Sequence, residues 1–293
     1  MDIQEHVSLA PYTSFKAGGA ARYFCVPTSQ ADFKTGLLWA KEHAQPLFVL
    51  GKGSNLVFSD RGFQGLVIYT APYFSKITWE GSRAVCDAGA LTYTLVSQSV
   101  KGGYAGVQKL GGIPGTVGGA VYMNAGAYGQ EVETSVEWVR SLTLEGELRE
   151  RNRRECQFEY RHSLFWNLSE YIVEIGLKFN SGERKNLELE MRDSLSHRKL
   201  HQPLSLPNSG SVFKRPQNLF PGQVIEEAGL KGLRKGGVEV SPLHANFMIN
   251  HGGAMAQDLY DLIEEVKAKV KAHSGVILER EVFLIGDFLP WPR

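Results

Sequence analysis

Three polar side chains stand where chemistry could use them. Arg161 follows Tyr160 in "YRHSLF", shortly after "ECQFE". A guanidinium flanked by aromatic groups can be aimed in advance at a carboxylate or an enolate oxygen, because its planar fork donates paired hydrogen bonds; a structural ion pair is the competing reading. Ser211 follows Gly210 in "NSGSVFKRP". No GxSxG elbow and no histidine–acid set accompanies it, which argues against a hydrolytic nucleophile. A hydroxyl whose own proton is relayed from elsewhere can instead deliver a proton, and a plain turn serine is the alternative. Glu281 lies in "VILEREVFLIG", where Ile277, Glu279, Glu281, Phe283 and Ile285 alternate with Val276, Leu278, Arg280, Val282 and Leu284. Both sets are largely apolar, so a strand buried on both faces is expected. Desolvation there would favour the neutral carboxyl, an acid or an electrostatic stabiliser, unless an arginine pairs with it.

Two glycine-rich segments could bind a ligand through backbone. "GKGSNL", Gly51–Leu56, comes directly after the apolar run "LFVL". Its glycines permit positive φ and let N–H groups converge on an anion, with Ser54 and Asn55 as further donors. Leu56 replaces the third glycine of a dinucleotide fingerprint and a second strand follows, so a Rossmann reading fails. A tight turn without ligand remains open. "GGIPGTVGGAVYMNAGAYGQE" holds seven glycines between Gly111 and Glu131, with apolar residues threaded through them. Glycine costs conformational entropy and packs nothing, so either close strand packing or a flat ligand on bare backbone must offset it. Two such loops suggest a dinucleotide with two phosphates and a ring system.

The elements that must position these groups follow from periodicity. Ala31–Gln45 is expected to be a helix with Phe33, Leu37, Leu38 and Ala40 on one side, followed by three short strands up to Thr70. Two more strands, "SKITWEG" and "RAVCDAGA", precede a helix near Leu91–Val100. Beyond the second glycine segment, "VEWVRSLTLEG" and "YIVEIGLKFN" read as strands, and "RKNLELEMRDSLSHRKLH" as a polar connecting helix. Leu259, Leu262, Ile263, Val266 and Val270 form one apolar helix face that Gly275 should cap. The chain has 293 residues, 43% hydrophobic and 22% charged, with a formal net charge of +1. That balance argues against nucleic-acid binding, and no run is long enough to span a membrane. The first residues lack the basic and apolar regions of a signal peptide. Cys25, Cys86 and Cys156 form no CxxC pair, so neither a disulfide framework nor a metal site is expected, and a cytoplasmic location is.

In order along the chain, "YTSFKAGGAARYF", "LGKGSNLVFSDRGFQGLVI", "GGIPGTVGGAVYMNAGAYGQEV", "YRHSLF", "GSVFKRP", "VEVSPLHANFMIN" and "GVILEREVFLIG" resemble the UDP-N-acetylenolpyruvoylglucosamine reductases. The resemblance implies an α+β protein: a FAD-binding domain of the vanillyl-alcohol-oxidase (PCMH) type in two subdomains, 1–70 and 71–200, and a C-terminal α+β substrate-binding domain, 201–293. It implies non-covalent FAD, NADPH as co-substrate and UDP-N-acetylglucosamine enolpyruvate as substrate. Hydride would pass from reduced FAD to C3 and a proton would reach C2, giving UDP-N-acetylmuramate for peptidoglycan synthesis. By motif, Arg161 would hold the substrate carboxylate and the developing enolate, Glu281 would share in stabilising or protonating it, and Ser211 would protonate C2. Gly51, Lys52, Gly53, Ser54, Asn55, Leu56, Gly112, Pro114, Gly115, Thr116, Gly119, Ala120, Asn124 and Gly126 would contact FAD. Tyr160, Lys214 and Arg215 would contact substrate, no metal is implied, and a monomer suffices.

Two departures from the family pattern stand out. The short spacing from Arg161 to Ser211 matches the form without an inserted tyrosine-bearing loop, and His201 stands where a lysine is expected before Gln202 and Pro203. Two rival readings are an oxidase of another substrate on the same fold, which air would reoxidise rapidly, and a non-catalytic nucleotide-sugar binder, which would take up no FAD.

Overall fold

In the computed structural model, which describes residues 1–216 and 218–290, the chain packs as two units. One comprises Met1–Gln4, Phe24–Lys52 and Gly65–Arg198; the other comprises Glu5–Tyr23, Gly53–Gln64 and Lys199–Arg293. The expected block 1–70 is therefore shared between them, while 201–293 lies wholly in the second.

The first unit is built on a five-stranded antiparallel sheet. Its order is Leu148–Asn152, Val136–Thr143, Glu170–Lys178, Arg83–Asp87, Ile77–Glu80. The outer strand, "LRERN", was not foreseen because it is polar and largely exposed; an edge strand needs only a neighbour to pair with, not a buried face. Gly176 stands opposite Trp138 across two strands, and a Cβ there would collide with the indole. Leu47–Leu50 and Phe63–Tyr69 pair in parallel, Leu47 opposite Leu66.

The helix Gln30–Glu42 starts at Ser29, whose hydroxyl accepts from Asp32 N at 3.1 Å, satisfying one of its unpaired donors. It buries Phe33, Gly36, Leu37 and Ala40. Leu38, expected on that face, is exposed, because consecutive residues are turned by about 100° around the helix.

The second unit carries an antiparallel sheet in the order Asn208–Ser211, Phe247–Asn250, Val238–Val240, Arg234–Lys235. Helix Ala256–Ser274 supplies its core: Leu259, Leu262, Ile263, Val266 and Val270 are wholly buried. Gly275 ends the helix at φ 73°, the left-handed cap the sequence implied. The long strand expected over 276–286 is not formed. Only Phe283–Ile285 is a strand, parallel to Leu56–Phe58, with an isolated bridge between Phe213 and Arg280. Leu278 and Val282 are buried, but Ile277 is 74% exposed. Alternating apolar residues become a two-faced buried strand only with neighbours on both faces, and this segment lacks them. Among the described residues no helix is long and apolar enough to cross a membrane. The three cysteines are free and buried.

Candidate active site

The glycine segment of the first unit is less bare than its composition suggests. Val117–Tyr122 is a short helix whose N-cap, Thr116, accepts from Gly119 N at 3.2 Å. Gly118 is required by packing, since a Cβ would stand 2.7 Å from Ala88 Cβ and 2.9 Å from its carbonyl oxygen. Gly51 likewise leaves room for Thr116, whose Oγ1 would be 2.6 Å from a Cβ. At Gly51 and Gly118 protein atoms stand where a side chain would be, so packing by itself requires glycine there. Gly119 is exposed, and a Cβ there would meet only Thr116 Oγ1 at 3.3 Å. The Gly115 carbonyl accepts from Thr92 N, at the start of the earlier helix Thr92–Lys101, at 3.1 Å, and the buried Thr92 Oγ1 has no hydrogen-bond partner among the described residues. Pro114 is exposed and Ala120 is 6% exposed.

Asn124 is wholly buried at φ 42°. Its Nδ2 donates to Glu131 Oε2 and to the Glu159 carbonyl, both at 3.0 Å, and its Oδ1 accepts from Glu133 N at 3.3 Å. Both of its amide hydrogens are used by the protein, which makes this side chain a structural clamp.

That clamp reaches the hairpin carrying Arg161. Glu159 and His162 exchange both backbone hydrogen bonds at 3.1 Å, leaving Tyr160 and Arg161 as the two loop residues. Arg161 has φ 55°, a left-handed value that ordinary residues seldom adopt. Its Nη2 donates to the Gly126 carbonyl at 3.0 Å, and its Cζ stands 4.9 Å from the centre of the Tyr160 ring. Ser163 Oγ and Trp166 Nε1 both donate to the Tyr122 carbonyl, at 2.7 and 2.9 Å. Arg161 is thereby fixed against the glycine segment, with Tyr160 half-exposed beside it.

The second unit gathers the other named groups. Asn208 pairs with Ile249 and Ser211 with Phe247, so one extra residue bulges from the first strand. Gly210 takes φ 78° at the bulge, and Asn208 Oδ1 accepts from Gly210 N at 3.0 Å. A bulge re-aims the following side chain, here Ser211. Past it, Asn246 holds Phe213 on both sides, accepting from its N–H at 3.0 Å and donating to its carbonyl at 2.9 Å. Glu281 N donates to the Val212 carbonyl at 2.8 Å, and the Glu281 carbonyl accepts from Asn55 Nδ2 at 3.2 Å. Gly210 also faces this loop, since its Cβ position would be 3.8 Å from the Ser54 carbonyl. Ser54, Asn55, Ser211 and Glu281 therefore come together although far apart in sequence. Glu281 is half-buried rather than deep in a sheet. Gly53, at φ 62°, passes its carbonyl to Ser14 N at 2.9 Å, Lys52 is exposed, and Leu56 pairs with Phe283. Lys214 is ion-paired with Glu279, and Arg215 Cζ lies 4.0 Å from the centre of the Phe220 ring.

Sequence reasoning missed Asn208 and Asn246. The signal for Asn246 was an amide set inside the apolar run "HANFMI", since a buried amide must bond to something. Within the first unit, the exposed backbone at Gly119 and the orphan hydroxyl of Thr92 fit a group that presents phosphate oxygens. No cluster of three metal-ligating side chains occurs among the described residues.

Residues 21–151 match the FAD binding domain family, and residues 202–285 match the C-terminal domain of UDP-N-acetylenolpyruvoylglucosamine reductase. The reductase of that name from Heliobacterium modesticaldum is 40% identical over 280 residues, 95% of this chain and 89% of that protein. The chain belongs to the UDP-N-acetylenolpyruvoylglucosamine reductase family. A Streptococcus pneumoniae member is 39% identical over 288 residues, 98% of this chain and 95% of its own. The crystal structure of the Thermus caldophilus reductase superposes with a TM-score of 0.84 at 31% identity, covering 97% of this chain and all of that one. The fold class is the expected one for the family: an α+β FAD-binding domain of the vanillyl-alcohol-oxidase type joined to the reductase C-terminal domain.

Proposed function

We propose that this chain reduces UDP-N-acetylglucosamine enolpyruvate to UDP-N-acetylmuramate for peptidoglycan synthesis, using NADPH as reductant and non-covalently bound FAD. The observation that carries the reading is the match at 202–285, which contains both Ser211 and Glu281 on hydrogen-bonded neighbouring segments. Bound FAD supplies the hydride that adds to C3 of the alkene. The chain supplies everything polar around that event. Arg161, pinned through Gly126, donates to the substrate carboxylate and stabilises the negative charge that develops on it, as a preorganised donor does without reorganising at the moment of reaction. Glu281 shares that stabilisation. The Ser211 hydroxyl gives its proton to C2, so that one hydride and one proton complete the saturation of the double bond.

The same proposal assigns FAD contacts to Gly51–Leu56, Gly112, Pro114–Thr116, Gly119, Ala120, Asn124 and Gly126. It assigns substrate contacts to Tyr160, Lys214 and Arg215. It includes the division of the N-terminal part into 1–70 and 71–200, and a monomer working in the cytoplasm.

The test is spectroscopic. The protein is reduced anaerobically with NADPH, then given UDP-N-acetylglucosamine enolpyruvate while flavin absorbance is followed. Prompt return of the oxidised spectrum with muramate product is expected. Reduction without return would sink the substrate assignment, and a protein that takes up no FAD would sink the whole reading.

A further inference from the structure

Arg198 lies in the last turn of the helix Arg184–His201 and belongs to the first unit. Its side chain runs along the glycine segment at Gly112: a Cβ on that residue would collide with Arg198 Cδ and stand 3.0 Å from Nε. Among the described residues no carboxylate forms an ion pair with it, and the only ionisable group acting on it is the Tyr128 hydroxyl. Burial pushes its guanidinium pKa down. Other arginines of this unit are paired with acids. Arg151 is bonded through both terminal nitrogens to Glu170, and Arg140 holds Glu150 and Glu174. A sheltered guanidinium without an acid is an expensive arrangement, and a planar fork beside bare backbone is shaped for an oxyanion.

We infer that Arg198 is a phosphate-binding residue, which grips a phosphate oxygen of a bound nucleotide against the backbone at Gly112. The inference rests on the nucleotide ligands of the proposed function. FAD, the 2′-phosphate of NADPH and the diphosphate of the UDP-sugar all offer that chemistry. FAD is the favoured source, because Gly112 lies within the residues matching the FAD binding domain.

The test compares R198K and R198M with the wild type in three titrations: FAD retention on dilution of the holoprotein, NADPH affinity against NADH affinity, and UDP-N-acetylmuramate binding. R198M is expected to weaken one of the three about tenfold or more, and R198K, which keeps the charge, distinctly less. Loss of FAD names the cofactor. Loss of the NADPH-over-NADH preference names the 2′-phosphate, and loss of the sugar nucleotide names the substrate. All three within twofold in R198M would overturn the assignment. An arm on wild-type protein covers a variant that does not fold. Phenylglyoxal labelling of Arg198, mapped by mass spectrometry, should be slowed by one of the three ligands, and labelling indifferent to all three overturns the assignment equally. The outcomes separate from those of the proposed function. A wild type that never turns over the enolpyruvyl sugar, with R198M still losing FAD, would end that function and leave this site standing.

Discussion

Arg161 and Ser211 are held in opposite ways. Arg161 occupies the tip of a two-residue hairpin, and what fixes the hairpin is side chains: Asn124 of the glycine segment donates to the Glu159 carbonyl, and Ser163 and Trp166 donate to the Tyr122 carbonyl of that segment. Ser211 lies in a strand, fixed by backbone bonds from its neighbour Val212 to Asn246 and Glu281, with a bulge setting its direction. A residue aimed by clamping side chains can be removed without dismantling its mount. A residue aimed by backbone ladder can lose its functional atom cleanly, but its neighbours tolerate little. The two regions should therefore separate chemistry from stability differently.

The largest effect sharpens this most. Ser211→Ala deletes one hydroxyl and no ladder bond, so stability should barely change. Reduction of the flavin by NADPH should proceed at the wild-type rate, while reoxidation by the enolpyruvyl substrate slows by about 10²–10⁴-fold, the usual range for a lost general acid. Stopped-flow measurement of the two half-reactions decides it, and equal loss in both would remove Ser211 from the proton-donor role. Arg161→Met comes next. The hydrogen bond to Gly126 and the contact with Tyr160 are among what it forfeits, about 1 kcal/mol of stability for such a bond, against about 10²–10³ in kcat/KM for the enolpyruvyl substrate if it stabilises charge in the transition state. A melting midpoint that falls steeply while kcat/KM hardly moves would make Arg161 a structural residue after all.

What the sequence made legible matches this contrast. Helix Ala256–Ser274 and its glycine cap could be read because a buried apolar face and a left-handed terminus are local signals. The glycine segment was legible as special, but not what each glycine faces. Whether Gly118 faces a ligand or Ala88 depends on a partner thirty residues earlier, which no local pattern encodes. Glu281 was picked for deep burial and is only half-buried, since alternation cannot reveal whether a strand has neighbours. The bulge at Gly210 was invisible because register is a property of two strands, and the one residue by which Asn208–Ser211 exceeds its partner appears only when they pair.

The glycines offer the next comparison. Gly118→Ala drives a methyl into Ala88 within 2.7 Å of Cβ and 2.9 Å of backbone oxygen; overpacking of this kind costs about 1–3 kcal/mol. Gly210→Ala meets nothing closer than 3.8 Å, so only the strain of φ 78° remains, about 1–2 kcal/mol. Urea unfolding should rank Gly118→Ala as the more damaging. Activity should rank them in reverse, because Gly210 sets the direction of Ser211. The same order in both measurements would break the claim that the bulge aims the hydroxyl.

Acid should reach the two regions in sequence, with the smallest effect of all. In the second unit, burial lowers the His244 pKa below its usual 6.5, and its Nδ1 accepts from Asn246 N at 3.2 Å, which requires that nitrogen to be unprotonated. The unfolded chain then binds the proton more tightly, so this contribution is complete above pH 6.5 and declines as pH falls below it. In the first unit, burial pushes the Glu170 carboxyl up, but hydrogen bonds from Arg151 and Ser141 outweigh it and leave the pKa below the usual 4.5. That contribution persists to about pH 4.5 and is lost as pH falls further, through the folded-state value. Between pH 7.5 and 5.5, protection against hydrogen exchange, taken relative to the intrinsic rate at each pH, should therefore fall in Phe247–Asn250, the strand next to His244, before it does in Glu170–Lys178, by an amount equivalent to less than about 1 kcal/mol. His244→Gln should abolish the difference between the strands over that range. If the loss of protection survives the substitution, it belongs to another group, and the division of the acid response between the two regions fails.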